Sequence, residues 1–518
     1  MVIDLLRPVL RCRGVPNRSV SVCTKNDMNT RLNGPRIIVV GAGMSGILVG
    51  IKLLESGHTN FAIYEKADEL GGTWRDNRYP GLSCDVPSHH YVYSFEPNSE
   101  WTSLFSGGPE ILNYFKNAAT KYHVREHIRF GSEVVAARFE NGLWNVRIAG
   151  GELDQGSVLI AATGVLHHPK FPDIPGLSEF DGKQFHSARW DDTVDLSAKR
   201  VGIIGTGSTA VQIVPAIVNK VSKLTLFQRT AQWILPYPNK DYSEEERQTF
   251  RDDPGLMRAE YAKWEGQFNH TFARAVIGDE YEMQRIANRC KENLETNVTD
   301  PDLRSQLTPD YKVACKRLIL SDQFYPAIQR KNAQLETTPI SRVEHAGVVT
   351  KDGRLHELDV MVLATGFDGH RYARDIDISG TDGGTLNDAW GDSIWAHRGV
   401  AMPGFPNFYM LIGPHSPIGN FSLILIAEMQ LNYLLQLIEP ILTGESASVV
   451  PKRSATEAFN RSLRDAMKKT VWVSGCDSWY LDGEGNPITW PWSFEQFASD
   501  MKAPDLGEYV FDPGLGHI

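Results

Sequence analysis

Short apolar runs, each closed by glycine and followed by a helical stripe, organise this chain. Arg36-Ile37-Ile38-Val39-Val40 is a β-branched run of the kind a buried parallel strand needs. It leads directly into Gly41-Ala42-Gly43-Met44-Ser45-Gly46. Ile47, Leu48, Ile51 and Leu54 then recur at helical spacing, with Lys52 and Glu55 on the opposite side. Phe61-Ala62-Ile63-Tyr64 predicts the next strand, which ends at Glu65. The same order returns later. Arg200-Val201-Gly202-Ile203-Ile204 precedes Gly205-Thr206-Gly207-Ser208-Thr209-Ala210, a stripe of Val211, Val214, Ile217 and Val218, and a strand Leu224-Thr225-Leu226-Phe227. Two further apolar runs, 158–162 and 360–364, end in Ala-Thr-Gly and flank the second unit. A strand that stops at small residues such as Thr163 and Gly164 leaves room for a cofactor or a crossing chain.

The pattern predicts an α/β fold with two Rossmann-like dinucleotide-binding domains, the second inserted into the first. The expected divisions are 35–175 and 344–450 for the first domain, 176–343 for the second, and 451–518 for a C-terminal segment packed near the cleft. A charged stretch at about 241–311 predicts a helical insertion carrying Tyr261, Trp264, Phe268 and Phe272. It reads equally as a cap over a substrate pocket or as a surface helical pair.

The glycines have separate tasks. Gly41 permits the tight turn, Gly43 lets a pyrophosphate approach the backbone, and Gly46 lets helix pack on strand. Gly205, Gly207 and the small Ala210 repeat these roles. The helix start then offers free N–H groups to phosphate. A lone GxGxxG is a weak signal, but here strand, helix and terminal charge accompany it. That terminal charge differs between the two units. Glu65 and Arg229 stand at the same offset from Gly41 and Gly205. A carboxylate suits the hydroxyls of an unphosphorylated ribose, whereas a guanidinium suits a 2′-phosphate. The first site is therefore expected to take FAD and the second NADPH; the competing reading of Arg229 is a solvated surface arginine.

Composition narrows the class. A net charge of -10 over 518 residues argues against nucleic-acid partners. The most apolar stretch, 421–442, carries Glu428, Gln430, Asn432, Gln436 and Glu439, which suits a packed core helix better than a membrane span. Cys12, Cys23, Cys84, Cys290, Cys315 and Cys476 are scattered. They suggest neither a disulfide scaffold nor a metal site, and they fit a reducing, cytoplasmic setting. Residues 1–34 are rich in arginine and read as a targeting-like segment, a disordered extension, or a stretch upstream of a start at Met28.

Two longer patterns carry a family resemblance. Phe180, Gly182, His186, Trp190 and Asp191 match F-x-G-x-x-x-H-x-x-x-W-P/D, and Gly71, Gly72, Trp74, Tyr79, Pro80, Gly81 and Asp85 match A/G-G-x-W, F/Y-P-G and an aspartate. With them the chain resembles the class B flavoprotein monooxygenases, and within these the type I Baeyer–Villiger monooxygenases. The resemblance implies that Asp85 is the active-site aspartate and Arg317 the catalytic arginine, although the two could form only a structural ion pair. It also implies that Lys316, Arg229 and Thr230 hold the 2′-phosphate, that His186 serves conformational coupling, and that Gly413-Pro414-His415-Ser416-Pro417 approaches the flavin. Further cofactor contacts are expected at Met44, Ser45, Lys66, Gly72, Thr73, Trp74, Tyr91, Thr163 and Gly164. On the second site they are expected at Ser208, Thr209 and Gln212.

The implied chemistry uses NADPH and O2 to form a flavin C4a-peroxide, which converts a ketone to an ester or lactone and can also oxidise a thioether. Developing negative charge calls for a permanent cation, and Arg317 is the candidate. The nearest alternative is a monooxygenase of nitrogen or sulfur, with less need of Arg317. A pyridine nucleotide–disulfide reductase would need a dithiol motif that is missing here, and a nucleotide-binding sensor would have no use for Asp85 and Arg317. The aromatic C-terminal stretch from Val471 to Tyr480, with Trp490-Pro491-Trp492, either lines the cleft or packs on the core. Within it Cys476 is expected to pack, with no redox partner.

Overall fold

A computed structural model describes residues 34–419 and 421–513. The extension expected over 1–34 lies outside the described residues except for its last one.

The first glycine unit builds a five-stranded parallel sheet. Its spatial order is Phe408–Met410, Val158–Ala161, Ile37–Val40, Phe61–Tyr64 and Ile128–Arg129. Val40 pairs with Tyr64 on one side and with Ala161 on the other, so three strands end at one level. Gly41, Glu65 and Ala162 leave the sheet there, at the carboxyl edge where open α/β sheets bind ligands. Phe61–Tyr64 and Val158–Ala161 are buried throughout, which is why they read as unbroken apolar runs rather than alternating ones. Helix Met44–Glu55 covers the sheet, and helix Leu423–Leu442 packs against that helix. Leu423–Leu442 is thus a core helix, and among the described residues no helix is long and apolar enough to cross a membrane.

The second unit builds another five-stranded parallel sheet, ordered Ala333–Glu336, Lys223–Phe227, Arg200–Ile204, Val360–Leu363 and Lys183–His186. All its strands fall between two strands of the first sheet, so the second domain is inserted into the first. One boundary differs from the expectation. Val360–Leu363 pairs with Arg200–Ile204, so the second domain extends past 343 and the chain returns to the first sheet only after the Thr365-Gly366 turn. A four-residue apolar strand ending in Ala-Thr-Gly has the same pattern in either sheet, and periodicity does not say which one it joins.

The insertion is helical, with Glu244–Asp252, Pro254–His270, Phe272–Val276, Glu280–Asn297 and Pro301–Gln306. Of its aromatic residues, Tyr261 and Trp264 are buried and Tyr281 is exposed. Tyr261 meets His90 edge-on at 4.7 Å, and Phe268 lies 6.0 Å from the same ring. Leu104 donates its N–H to the Lys240 carbonyl at 2.8 Å, tying the start of the insertion to the first domain. At the C-terminus, Trp490 packs on Trp492 and Phe497, and Tyr509–Asp512 pairs with Ser448–Pro451.

The cysteine expectation needs correction. Cys315 and Cys476 form a disulfide across a separation of 161 residues. Cys476 therefore has a partner that spacing alone could not reveal, because the fold rather than the local sequence brings the two thiols together. Cys84 and Cys290 are free and buried.

Candidate active site

A cavity of about 1530 Å³ opens between the carboxyl edges of the two parallel sheets and is lined by both glycine turns. Gly41 has φ +101°, and a Cβ there would stand 2.6 Å from the Ala162 carbonyl oxygen. A Cβ on Gly46 would collide with the Gly41 carbonyl. Gly46 and Ala210 lie behind the cavity wall and serve helix–strand packing, while Gly43, Met44, Ser45, Gly205, Gly207, Ser208 and Thr209 face the cavity. Both helices start at a glycine N-cap with no side-chain cap, leaving their first N–H groups directed to the cavity. Uncapped donors beside a glycine cradle fit a pyrophosphate at each turn.

On the first side, Glu65 is buried and accepts the Ala42 N–H at 2.9 Å and the Ala67 N–H at 3.0 Å. Arg75 pairs with it at 3.1 Å. Burial works against the Arg75 charge, but Glu65 and Asp76 outweigh it and raise the pKa. Arg75 is not among the residues that the sequence motifs single out. Its position directly after Trp74 in the matched pattern was the available signal. Trp74 Nε1 donates to the Tyr91 hydroxyl at 3.1 Å, and Lys66, Gly72, Thr73, Thr163 and Gly164 complete this wall.

On the second side, Arg229, Thr230 and Lys316 line one end of the cavity. Arg229 is 86% exposed at its side chain and lies 3.6 Å from the carboxylate of Asp477. Burial lowers the Lys316 pKa, and its ammonium sits over the Tyr311 ring at 5.0 Å. Gln212 lines the cavity but is also a strut between domains. It accepts the Tyr79 hydroxyl at 2.9 Å and donates to the Ser83 carbonyl at 3.0 Å.

Arg317 and Asp85 meet where the two sides join. Arg317 Nε donates to Asp85 Oδ2 at 3.2 Å, and Nη2 makes a shorter bond to the same oxygen. Burial alone would lower the Arg317 pKa, but Asp85 and the Tyr480 hydroxyl raise it well above the ordinary arginine value. Tyr480 and Gly419, which no sequence motif marks, also lie beside Arg317. Gly419 has φ +92°, and a Cβ there would stand 2.9 Å from Arg317 Nη1 and against the Tyr480 hydroxyl.

Other expectations divide. None of the five fingerprint residues lines the cavity. His186 is buried between Phe171 and Phe367, two linker residues that do line it, and Gly182 is required because a Cβ would stand 2.6 Å from the Asp359 carbonyl. Phe180 and Trp190 pack in separate apolar clusters of the second domain, and the Asp191 carboxylate caps Thr193. The turn 413–417 is buried behind the wall, with Ile412 and Ile418 at its ends facing the cavity. No residue of the helical insertion 241–311 lines the cavity, and Tyr261 and Phe268 pack against the His90 ring of the first domain. The C-terminal stretch does both things expected of it. Asp477, Ser478 and Trp479 line the cavity, while Trp490 and Trp492 pack away from it. Neither sulfur of the disulfide reaches the cavity.

Comparison with known proteins agrees with this geometry. Residues 34–245 match the family model described as flavin-binding monooxygenase-like. An uncharacterized monooxygenase of Mycobacterium tuberculosis (strain ATCC 25618 / H37Rv) is 51% identical over 459 residues, spanning 89% of this chain and 92% of that protein. A Baeyer-Villiger monooxygenase of Streptomyces coelicolor is 40% identical over 483 residues, spanning 92% of each. The chain belongs to the flavin-binding monooxygenase-like family. It is an enzyme of the Baeyer–Villiger type within that family. Its fold matches the crystal structure of an OTEMO complex with FAD and NADP at a TM-score of 0.83 and 26% identity, covering 92% of this chain and 99% of that one.

Proposed function

We propose that this enzyme inserts one atom of O2 beside the carbonyl of a small-molecule ketone, giving an ester or lactone, with FAD in the first nucleotide site and NADPH in the second. The observation that carries the reading is Arg317, held by Asp85 at the junction of two glycine cradles within one cavity. When bound, the nicotinamide and flavin supply the reducing electrons and the activated oxygen. The residues of the chain do the rest. The two uncapped helix starts bind pyrophosphate. Glu65, fixed by Ala42 and Arg75, receives ribose hydroxyls on the flavin side. Arg229, Thr230 and Lys316 receive the 2′-phosphate.

Arg317 presents N–H donors where negative charge develops on oxygen as the carbonyl is attacked, and its charge persists at any working pH. Asp85 positions it as well as pairing with it, because both Nε and Nη2 bond to one carboxylate oxygen. The Tyr480 hydroxyl and Arg317 Nη1 both lie close to Gly419. The division into 35–175, a second domain reaching to about 363, the return to the first sheet and a C-terminal segment from 451 is part of this proposal, as is a cytoplasmic location with access to NADPH. Thioether oxidation is proposed as a secondary activity.

The test is a panel of linear, cyclic and aryl ketones, with a thioether alongside. NADPH loss and product mass are followed together. The reading expects ester or lactone in proportion to NADPH consumed with at least one ketone. Sulfoxide alone, with every ketone untouched, would move the enzyme to the heteroatom-oxidising branch.

A further inference from the structure

The disulfide brings two unlike charges into the second nucleotide site. The residue after Cys315 is Lys316, and the residue after Cys476 is Asp477. Both line the cavity. Asp477 Oδ2 stands 3.6 Å from Arg229 Nη2. Arg229 and Lys316 oppose each other electrostatically, and Asp477 favours the charged form of Lys316. Three separate parts of the chain thus place two cations and one carboxylate together: the end of strand Lys223–Phe227, the loop after the helical insertion, and the C-terminal segment.

We propose that Asp477 is a specificity-determining residue, an internal carboxylate that competes with the 2′-phosphate of NADPH for Arg229 and Lys316. The inference rests on the reading of those two residues as the phosphate-binding pair. With no nucleotide present, the carboxylate partly neutralises them. A phosphate arriving between the cations must displace the Asp477 side chain and then bear its repulsion. The backbone cannot retreat far, because Cys476 is bonded to Cys315 and Ser474 Oγ donates to the Cys315 sulfur at 3.3 Å. Only the side chain can swing, and its charge stays within a screening length of about 8 Å at physiological salt. Asp477 therefore lowers affinity for the phosphorylated nucleotide and narrows its advantage over the unphosphorylated one.

Equilibrium titration of the flavin-loaded enzyme with NADP+ and with NAD+ tests this in wild type, Asp477→Asn, Asp477→Glu and Arg229→Ala. Exposed charge pairs are worth little, so Asp477→Asn is expected to tighten NADP+ binding by roughly two- to fivefold. NAD+ binding should not change, Asp477→Glu should keep wild-type values, and the gain should vanish in about 1 M salt, where screening acts over about 3 Å. Arg229→Ala should weaken NADP+ alone. Unchanged or weaker NADP+ binding in Asp477→Asn, or an equal gain for NAD+, overturns the inference. If that occurs while Arg229→Ala still loses NADP+ selectively, the phosphate-site reading survives. If Arg229→Ala leaves NADP+ untouched, both fall.

Discussion

At the residue scale, the proposed function rests on a few side chains, among them Arg317, whose neighbours leave it little freedom. Arg317 is bonded twice to Asp85 and lies against Tyr480, so removing it deletes a positioned cation without touching either glycine turn. Arg317→Ala should retain bound flavin and still consume NADPH, but lose ester formation by about a hundredfold or more. Full turnover to ester in that variant would remove Arg317 from its role. Gly46 tests the other half of the site. A Cβ there has no space against the Gly41 carbonyl, so Gly46→Val should yield colourless protein with no flavin absorbance. A yellow variant with wild-type flavin content would show that the turn tolerates what its geometry forbids. Arg317, Asp85, Glu65 and Arg229 were legible because motif and register placed them. Arg75, Gly419 and Tyr480 were not, because each contributes through a contact between distant parts of the chain.

At the scale of elements, the parallel strands and glycine turns could be read from apolar runs and their punctuation, since strands buried on both faces leave that pattern. Sheet membership could not. The run at 360–363 joins the second sheet, and nothing in its four residues distinguishes that from the first. The disulfide was equally hidden. Cys476→Ser is expected to cost about 2–4 kcal/mol of stability and to raise hydrogen exchange across 471–483, the segment that carries Asp477 and Tyr480. Peptide mapping without reductant that finds free thiols at Cys315 and Cys476 would contradict the bond.

Helix Leu423–Leu442 holds a titratable group in the core. Glu428 is buried, accepts the Ser94 N–H at 2.9 Å through Oε1, and is pushed up by burial to about 7. Because its folded pKa lies above the unfolded one, the unfolded chain ionises first as pH rises. Glu428 thus takes nothing from stability below about pH 4 and costs progressively more up to about pH 7. Glu428→Gln, which keeps the acceptor for Ser94, should add on the order of 1–3 kcal/mol at pH 8 and almost nothing at pH 4. Thermal unfolding at the two pH values checks this, and a gain of equal size at both would refute the titration argument.

At the scale of the whole molecule, one nucleotide domain inserted in another sets two cradles facing one cavity, and the C-terminal segment lines a side of it with Asp477, Ser478 and Trp479. The insertion and the doubled nucleotide fold were visible in the order of motifs along the chain. The packing of the helical insertion was not, because aromatic residues at helical spacing read alike over a pocket and against a domain. Together these parts are proposed to deliver an oxygen atom from O2 to a carbonyl substrate beside Arg317. The most direct measurement supplies purified enzyme with NADPH, a ketone it accepts and 18O2, and weighs the product. The expected product is an ester or lactone carrying one 18O atom per NADPH oxidised. Product bearing only solvent oxygen, or hydrogen peroxide as the sole product with every ketone offered, would contradict it.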